Sequence, residues 1–117
     1  MVPVTVARVP AAAYAMKEQE LERHIRRMCG DLGLAVNHFA DSRRSWLPGF
    51  PDLEIFGTRI LHRELKSQHG RLTVDQRWVG SRIGRSGGDW AVWRPADLLG
   101  GVIFRQLAAI AEPRRFS

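Results

Sequence analysis

Residues 52–66 read DLEIFGTRILHRELK: two apolar-rich runs with glycine and threonine between them. Strands joined by so short a link can only pair as an antiparallel hairpin, because a parallel return needs a crossover of a dozen residues or more. Opposite positions in such a hairpin have a constant sum. A three-residue turn that pairs Phe56 with Ile60 places Asp52 opposite Glu64, with β-carbons about 4.5–5.5 Å apart and Lys66 on the diagonal. A two-residue turn places Asp52 opposite Arg63 and separates the acids unless a bulge restores them. Glu64 and Lys66 share one face of their strand, and Leu65 takes the other.

The rest of the chain tells how that hairpin is clothed. AAAYAMKEQELERHIRRMCGDLG predicts one helix from about Pro10 to a stop at Gly33, with Leu21, Ile25, Met28, Cys29 and Leu32 on its buried face. Glu18 and Glu22 fall on that face and Glu20 elsewhere, and acids on an apolar stripe are costly unless something pairs with them. The preceding VTVARVP reads as a short strand or an ordered arm. LAVNHFA predicts a strand, and DSRRSWLPGFP a basic loop punctuated by glycine and proline. Thr73 is the expected N-cap of a helix that its glycines end near residues 87–88, and DWAVWRP is a fourth strand. ADLLGGVIFRQLAAIAEP predicts a last amphipathic helix, weakened at Gly100-Gly101, and RRFS is a basic tail. The order helix, three strands, helix, strand, helix implies an α/β domain: a central mixed four-stranded sheet flanked by helices, with one right-handed βαβ crossover.

The 117 residues suit a single domain. A formal net charge of +6 favours a polyanionic partner, nucleic acid or an anionic membrane. The basic residues are not gathered on one amphipathic helix, which argues against a membrane surface, and no apolar run approaches spanning length. Cys29 is the only cysteine, so an intrachain disulfide and a thiolate metal cluster are excluded. The first residues make a poor secretory signal. These features fit a cytoplasmic protein of a reducing compartment.

Two carboxylates held close repel each other, and a cation relieves them. A hard divalent ion such as Mg²⁺ takes one or two carboxylates, waters and a phosphate oxygen. It acidifies a water and stabilises the charge that builds on a phosphodiester, and a lysine beside it shields that charge further. Asp52, Glu64 and Lys66 therefore suit phosphodiester hydrolysis. Arg43, Arg44, Arg71, Arg77, Arg82 and Arg85 flank them in sequence and read together as a phosphate-binding rim, with His69 a further candidate contact. His38, His62 and His69 have no metal-ligand spacing. Trp78, Trp90 and Trp93 read as core or interface residues, and Trp46, in the basic loop, as a DNA wedge or dimer contact.

Pro51-Asp52 followed by Glu64-Leu65-Lys66 resembles the PD-(D/E)xK nuclease pattern of the restriction-endonuclease-like fold. The longer set EQELE, DSRRSWLPGFPDL, ELKSQHGRLTVDQRWV and GDWAVWRP resembles the VRR-NUC family, in particular its small stand-alone phage and bacterial members. The resemblance runs from about Lys17 to about Leu99 and is sharpened by Gly49 before Pro51 and Gln76 after Lys66. It implies that Asp52, Glu64 and the Leu65 backbone carbonyl bind Mg²⁺ or Mn²⁺, that Lys66 is the catalytic lysine, and that Gln76 supports the site. It also implies an acid on the first helix that reaches the metal or its waters: Glu18, or Glu22 as its substitute. By the same resemblance the protein is expected to be a homodimeric endonuclease of four-way or branched DNA. A nuclease of the same fold acting on linear or nicked DNA, and a non-catalytic DNA-binding module, are the alternatives. The expected organisation is an arm and helix start at 1–16, a nuclease domain at 17–111 and a basic tail at 112–117.

Overall fold

The computed structural model describes residues 8–39 and 46–113. The elements are α1 (Ala11–Ala15), α2 (Glu18–Asp31), β1 (Ala35–His38), β2 (Leu53–Phe56), β3 (Ile60–Leu65), α3 (Val74–Arg85), β4 (Asp89–Trp93), α4 (Pro95–Leu99) and α5 (Val102–Ile110). The strands form one sheet in the order β1-β2-β3-β4. β1, β2 and β3 are antiparallel and β4 runs parallel to β3, so the sheet is mixed and α3 is the crossover.

In the hairpin Phe56 faces Ile60 and Leu53 faces Arg63, the register of a three-residue turn. That turn is anchored from outside. The Thr58 N–H donates to the Ile110 carbonyl at 2.7 Å. A β-carbon at Gly57 would lie 2.1 Å from the same oxygen, so only glycine admits the approach.

Alternation assigns each face of the sheet its cover. Leu53, Ile55, Leu61, Leu65 and Trp93 join Leu21, Ile25 and Cys29 of α2 and Ile103, Leu107 and Ile110 of α5 in one core. Most of these side chains are removed from water. On the opposite face α3 lies close enough to β4 that a β-carbon at Gly80 would meet the Trp90 ring at 2.4 Å.

Two expected helices are each divided. The first breaks at Met16-Lys17, where both residues are extended. The break lets Met16 pack against the core and brings α1 onto α4, with Ala13 fully buried and the Tyr14 ring 4.8 Å from that of His69. Tertiary packing here outweighs an alanine-rich helical propensity. The last helix breaks at Gly100-Gly101. Gly101 has φ +80, a left-handed conformation that Gly adopts readily and most residues do not. The arm at 1–7 and the tail from residue 114 lie outside the described residues.

β3 also buries a charge. Arg63 is 2% exposed on the apolar face. Its Nη2 lies 3.0 Å from Asp89 Oδ1 and donates to Gln106 Oε1 at 3.1 Å. Its Nη1 donates to the Asp89 and His62 carbonyls at 2.7 and 3.1 Å. Gln106 Oε1 also accepts from Trp93 Nε1 at 2.8 Å, and the guanidinium lies 5.1 Å from the Trp93 ring centroid. Burial pulls the Arg63 pKa down, against the opposing charge of Asp89. Burial pushes the Asp89 carboxyl up, but Arg59 and Arg63 outweigh it and hold the group below its ordinary value. Among the described residues no helix is long and apolar enough to cross a membrane.

Candidate active site

Asp52 ends the loop that enters β2, just after buried Pro51. Its Oδ2 accepts the Leu65 N–H at 2.8 Å, which extends the pairing beyond the strand and sets Asp52 opposite Glu64. Glu64 is 2% exposed. Gln76 Nε2 donates to Glu64 Oε1 at 2.9 Å, and Lys66 Nζ lies 4.0 Å from the same oxygen. The amide of Gln76 is oriented by the start of α3. Its Oε1 accepts the Thr73 N–H at 2.9 Å, and its backbone N–H donates to Thr73 Oγ1 at 3.1 Å. This reciprocal capping box uses up the amide oxygen and turns the NH₂ toward Glu64. One residue thus starts a helix and positions a carboxylate.

The loop before Asp52 is wedged against the same turn. Gly49 has φ +88, and a β-carbon there would lie 2.4 Å from the Asp75 carbonyl carbon and 2.7 Å from Gln76 N. Gly49→Ala is therefore expected to lower stability by on the order of 1–3 kcal/mol through backbone strain alone. Urea denaturation checks this, and the displaced loop should carry Asp52 off its hydrogen bond to Leu65.

Glu64 holds its charge at a cost. Burial, and then the neighbouring charge of Asp52, push its pKa from 4.5 to about 8, with Lys66 pulling the other way. Its Oε2 is buried without a hydrogen-bond partner among the described residues. A buried orphaned oxygen beside a second carboxylate is what a cation would complete. The donor set is short: no three His, Cys, Asp or Glu side chains among the described residues meet as a metal-binding group. Two carboxylates with the Leu65 carbonyl fit a hard ion that keeps several waters.

A cleft between α2 and the strand ends is lined by Glu18, Glu22, Arg23, His38, Asp52 and Leu65, among others. Both α2 acids reach it, as their shared face predicts. Glu22 is committed: Oε1 lies 2.5 Å from His38 Nδ1 and Oε2 3.2 Å from Arg26 Nε. Of the two α2 acids expected near the metal, Glu22 thus meets His38 and Arg26, and Glu18 lines the same cleft.

Behind Lys66 a second depression gathers His69, Arg71, Arg77 and Arg94. Arg94 fixes its wall, donating from Nη1 to the Ser67 and Gly70 carbonyls at 2.8 and 2.6 Å. Arg43 and Arg44 lie outside the described residues. Trp46 is wholly exposed and Trp78 half exposed, the latter with the Arg82 guanidinium 5.0 Å from its ring centroid. Trp93 alone of the tryptophans is fully buried.

Sequence reasoning passed over His38, Arg63 and Arg94. His38 has no spacing signal and enters the cleft only because β1 pairs with β2. Arg63 had one usable signal, a charge at an apolar position of the alternation. Comparison of the chain with protein-family models, curated proteins and solved structures finds no match.

Proposed function

We propose that the protein is a divalent-metal-dependent endonuclease of the PD-(D/E)xK, VRR-NUC-like type, acting as a homodimer on four-way or branched DNA. The observation that carries this reading is the meeting of Asp52, Glu64, Lys66 and Gln76 in the register that the hairpin turn demands. Asp52 and Glu64, with the Leu65 carbonyl, would hold Mg²⁺ or Mn²⁺, and Glu18, across the cleft, would reach its waters. The bound ion would supply positive charge to a phosphate oxygen and acidify a water. The chain's own residues do the rest. Gln76 orients Glu64, and the Lys66 ammonium stabilises negative charge that accumulates on the phosphate in the transition state. The basic depression lined by His69, Arg71, Arg77 and Arg94 would take a neighbouring phosphate of the same strand.

End-labelled four-way junction, linear duplex and single strand, incubated with Mg²⁺, Mn²⁺ or EDTA, test the reading. Paired symmetric cuts confined to the junction, absent with EDTA and in Glu64→Gln, are the expected result. Equal cutting of linear DNA would keep the nuclease and remove the junction preference. Binding without cutting under every condition would leave a DNA-binding module. Replacing both Arg71 and Arg77 with alanine should weaken DNA binding similarly for all sequences. It should also reduce the slope of log affinity against log salt by about 2, as fluorescence anisotropy over a salt series would measure.

A further inference from the structure

Tyr14 is the only tyrosine of the chain, and the chemistry assigned above makes no use of it. It is carried on α1, which fully buried Ala13 holds in place and Met16 anchors on the core. Tyr14 itself stands outside that core and is half exposed. Its ring centroid lies 4.8 Å from that of His69, with the planes tilted by 32°, so the two rings form a nearly stacked pair. His69 is exposed as well. The pair therefore keeps flat aromatic surface open to a further flat partner.

The other neighbours of His69 say what that partner is. His69 is also a wall of an open depression of about 490 Å³, whose lining includes Arg71, Arg77 and Arg94 and no acid among the described residues. Guanidinium groups suit a phosphate, and a ring surface beside them suits the base attached to it. A base inside a duplex has both faces covered by its neighbours, and uncovering one is costly. The arrangement thus fits an unpaired nucleotide better than a paired one.

The two rings are also held ready before any ligand arrives. The Gly70 N–H donates to the Ser67 carbonyl at 3.1 Å and closes the turn that carries His69. Arg94 Nη1 donates to the Ser67, Gln68 and Gly70 carbonyls at 2.8, 3.4 and 2.6 Å. Gln68 Oε1 accepts the Ala96 N–H at 3.0 Å, which fixes the turn to the start of α4. α1 packs on α4 too, so both rings share one support and little ordering remains to be done on binding. The turn leaves directly from Lys66 and so borders the candidate active site.

Resting on the reading that the protein acts on DNA, we infer that Tyr14 and His69 form a stacking platform for an unpaired base, whose flanking phosphate lies in the depression lined by Arg71 and Arg77. The DNA strand is single-stranded where it crosses this platform.

Fluorescence anisotropy with EDTA, comparing labelled oligothymidylate with an abasic oligomer of equal length, tests the assignment, because the two share phosphates and differ in bases. The wild type is expected to bind oligothymidylate at least about 5-fold more tightly. Tyr14→Leu keeps an apolar side chain on α1 without a flat face, and should reduce that preference to about twofold or less. Tyr14→Phe should retain it. Replacing both Arg71 and Arg77 with alanine should weaken both oligomers together and leave their ratio in place. Equal wild-type affinity for the two oligomers, a preference that survives Tyr14→Leu, or a loss shared equally by both oligomers would overturn the inference. If Tyr14→Leu does not fold, His69→Ala decides by the same ratio, with a preserved preference counting against the platform. Metal-dependent scission is read separately: a base preference without scission keeps the platform and removes the nuclease, and scission without the preference does the reverse.

Discussion

Glu64→Gln is expected to abolish strand scission and, at the same time, to make the metal-free protein more stable. The loss of activity should be at least about 1,000-fold, because one of two acids that would hold the cation is gone. The gain follows from the burial of Glu64 beside Asp52, which pushes its pKa from 4.5 to about 8. Glutamine keeps an oxygen for the Gln76 amide and removes the charge. The pH dependence has a definite sign. Below about 4.5 the carboxyl is protonated in both the folded and unfolded chain, and its contribution is fully present. Between there and about 8 the unfolded chain binds fewer protons at this position than the folded one, so stability falls as pH rises. Urea midpoints with EDTA, read from pH ~5 to ~8.5, should show a difference between variant and wild type that grows with pH, reaching on the order of a few kcal/mol. Mg²⁺ or Mn²⁺ added near pH ~8 should raise the wild-type midpoint and not that of the variant. A flat difference across this range would place Glu64 in ordinary solvent and remove the argument for a cation there.

Arg63→Ala is expected to have the largest effect on the fold. Arg63 is buried with its charge, and four contacts reach it from Asp89, His62 and Gln106. Truncation takes the Arg63 donor from the Asp89 carbonyl and one of two donors from Gln106 Oε1, and opens a cavity against Trp93. A loss of about 2–4 kcal/mol is expected from the cavity and the lost charged hydrogen bonds, since Asp89 is partly exposed and keeps Arg59. Equilibrium denaturation followed by tryptophan fluorescence measures it. Arg63→Met, which fills the space without charge, should recover part of the loss. If alanine were as stable as the parent, the network would be surplus to the core.

These two positions lie side by side in β3 and were unequally legible in the sequence. Glu64 was readable because strand alternation and a constant-sum register need only local counting, and the same counting located Asp52 and Lys66. Thr73 and Gln76 were readable because a cap and the third residue of a helix form a local motif. Arg63 was not, since its partners Asp89 and Gln106 arrive from β4 and α5, and a lone arginine among apolar residues does not say which acid will meet it. His38 was hidden for the same reason. Its partner Glu22 lies on another element, and their approach depends on how α2 crosses β1. The divided helices show the converse limit: propensity favoured continuity at Met16 and Lys17, and packing against α4 and the core prevailed.

The anchoring of the hairpin turn on Ile110 sets an order of events during synthesis. The turn length that puts Asp52 across from Glu64 is clasped by the Ile110 carbonyl, contributed by α5 from far along the chain. A nascent chain therefore carries both acids out of the ribosome well before the clasp that secures their alignment. Until residue 110 has emerged, the hairpin's register rests on its own strands alone. The acid pair thus gains its outer support only once the last helix of the core is in place.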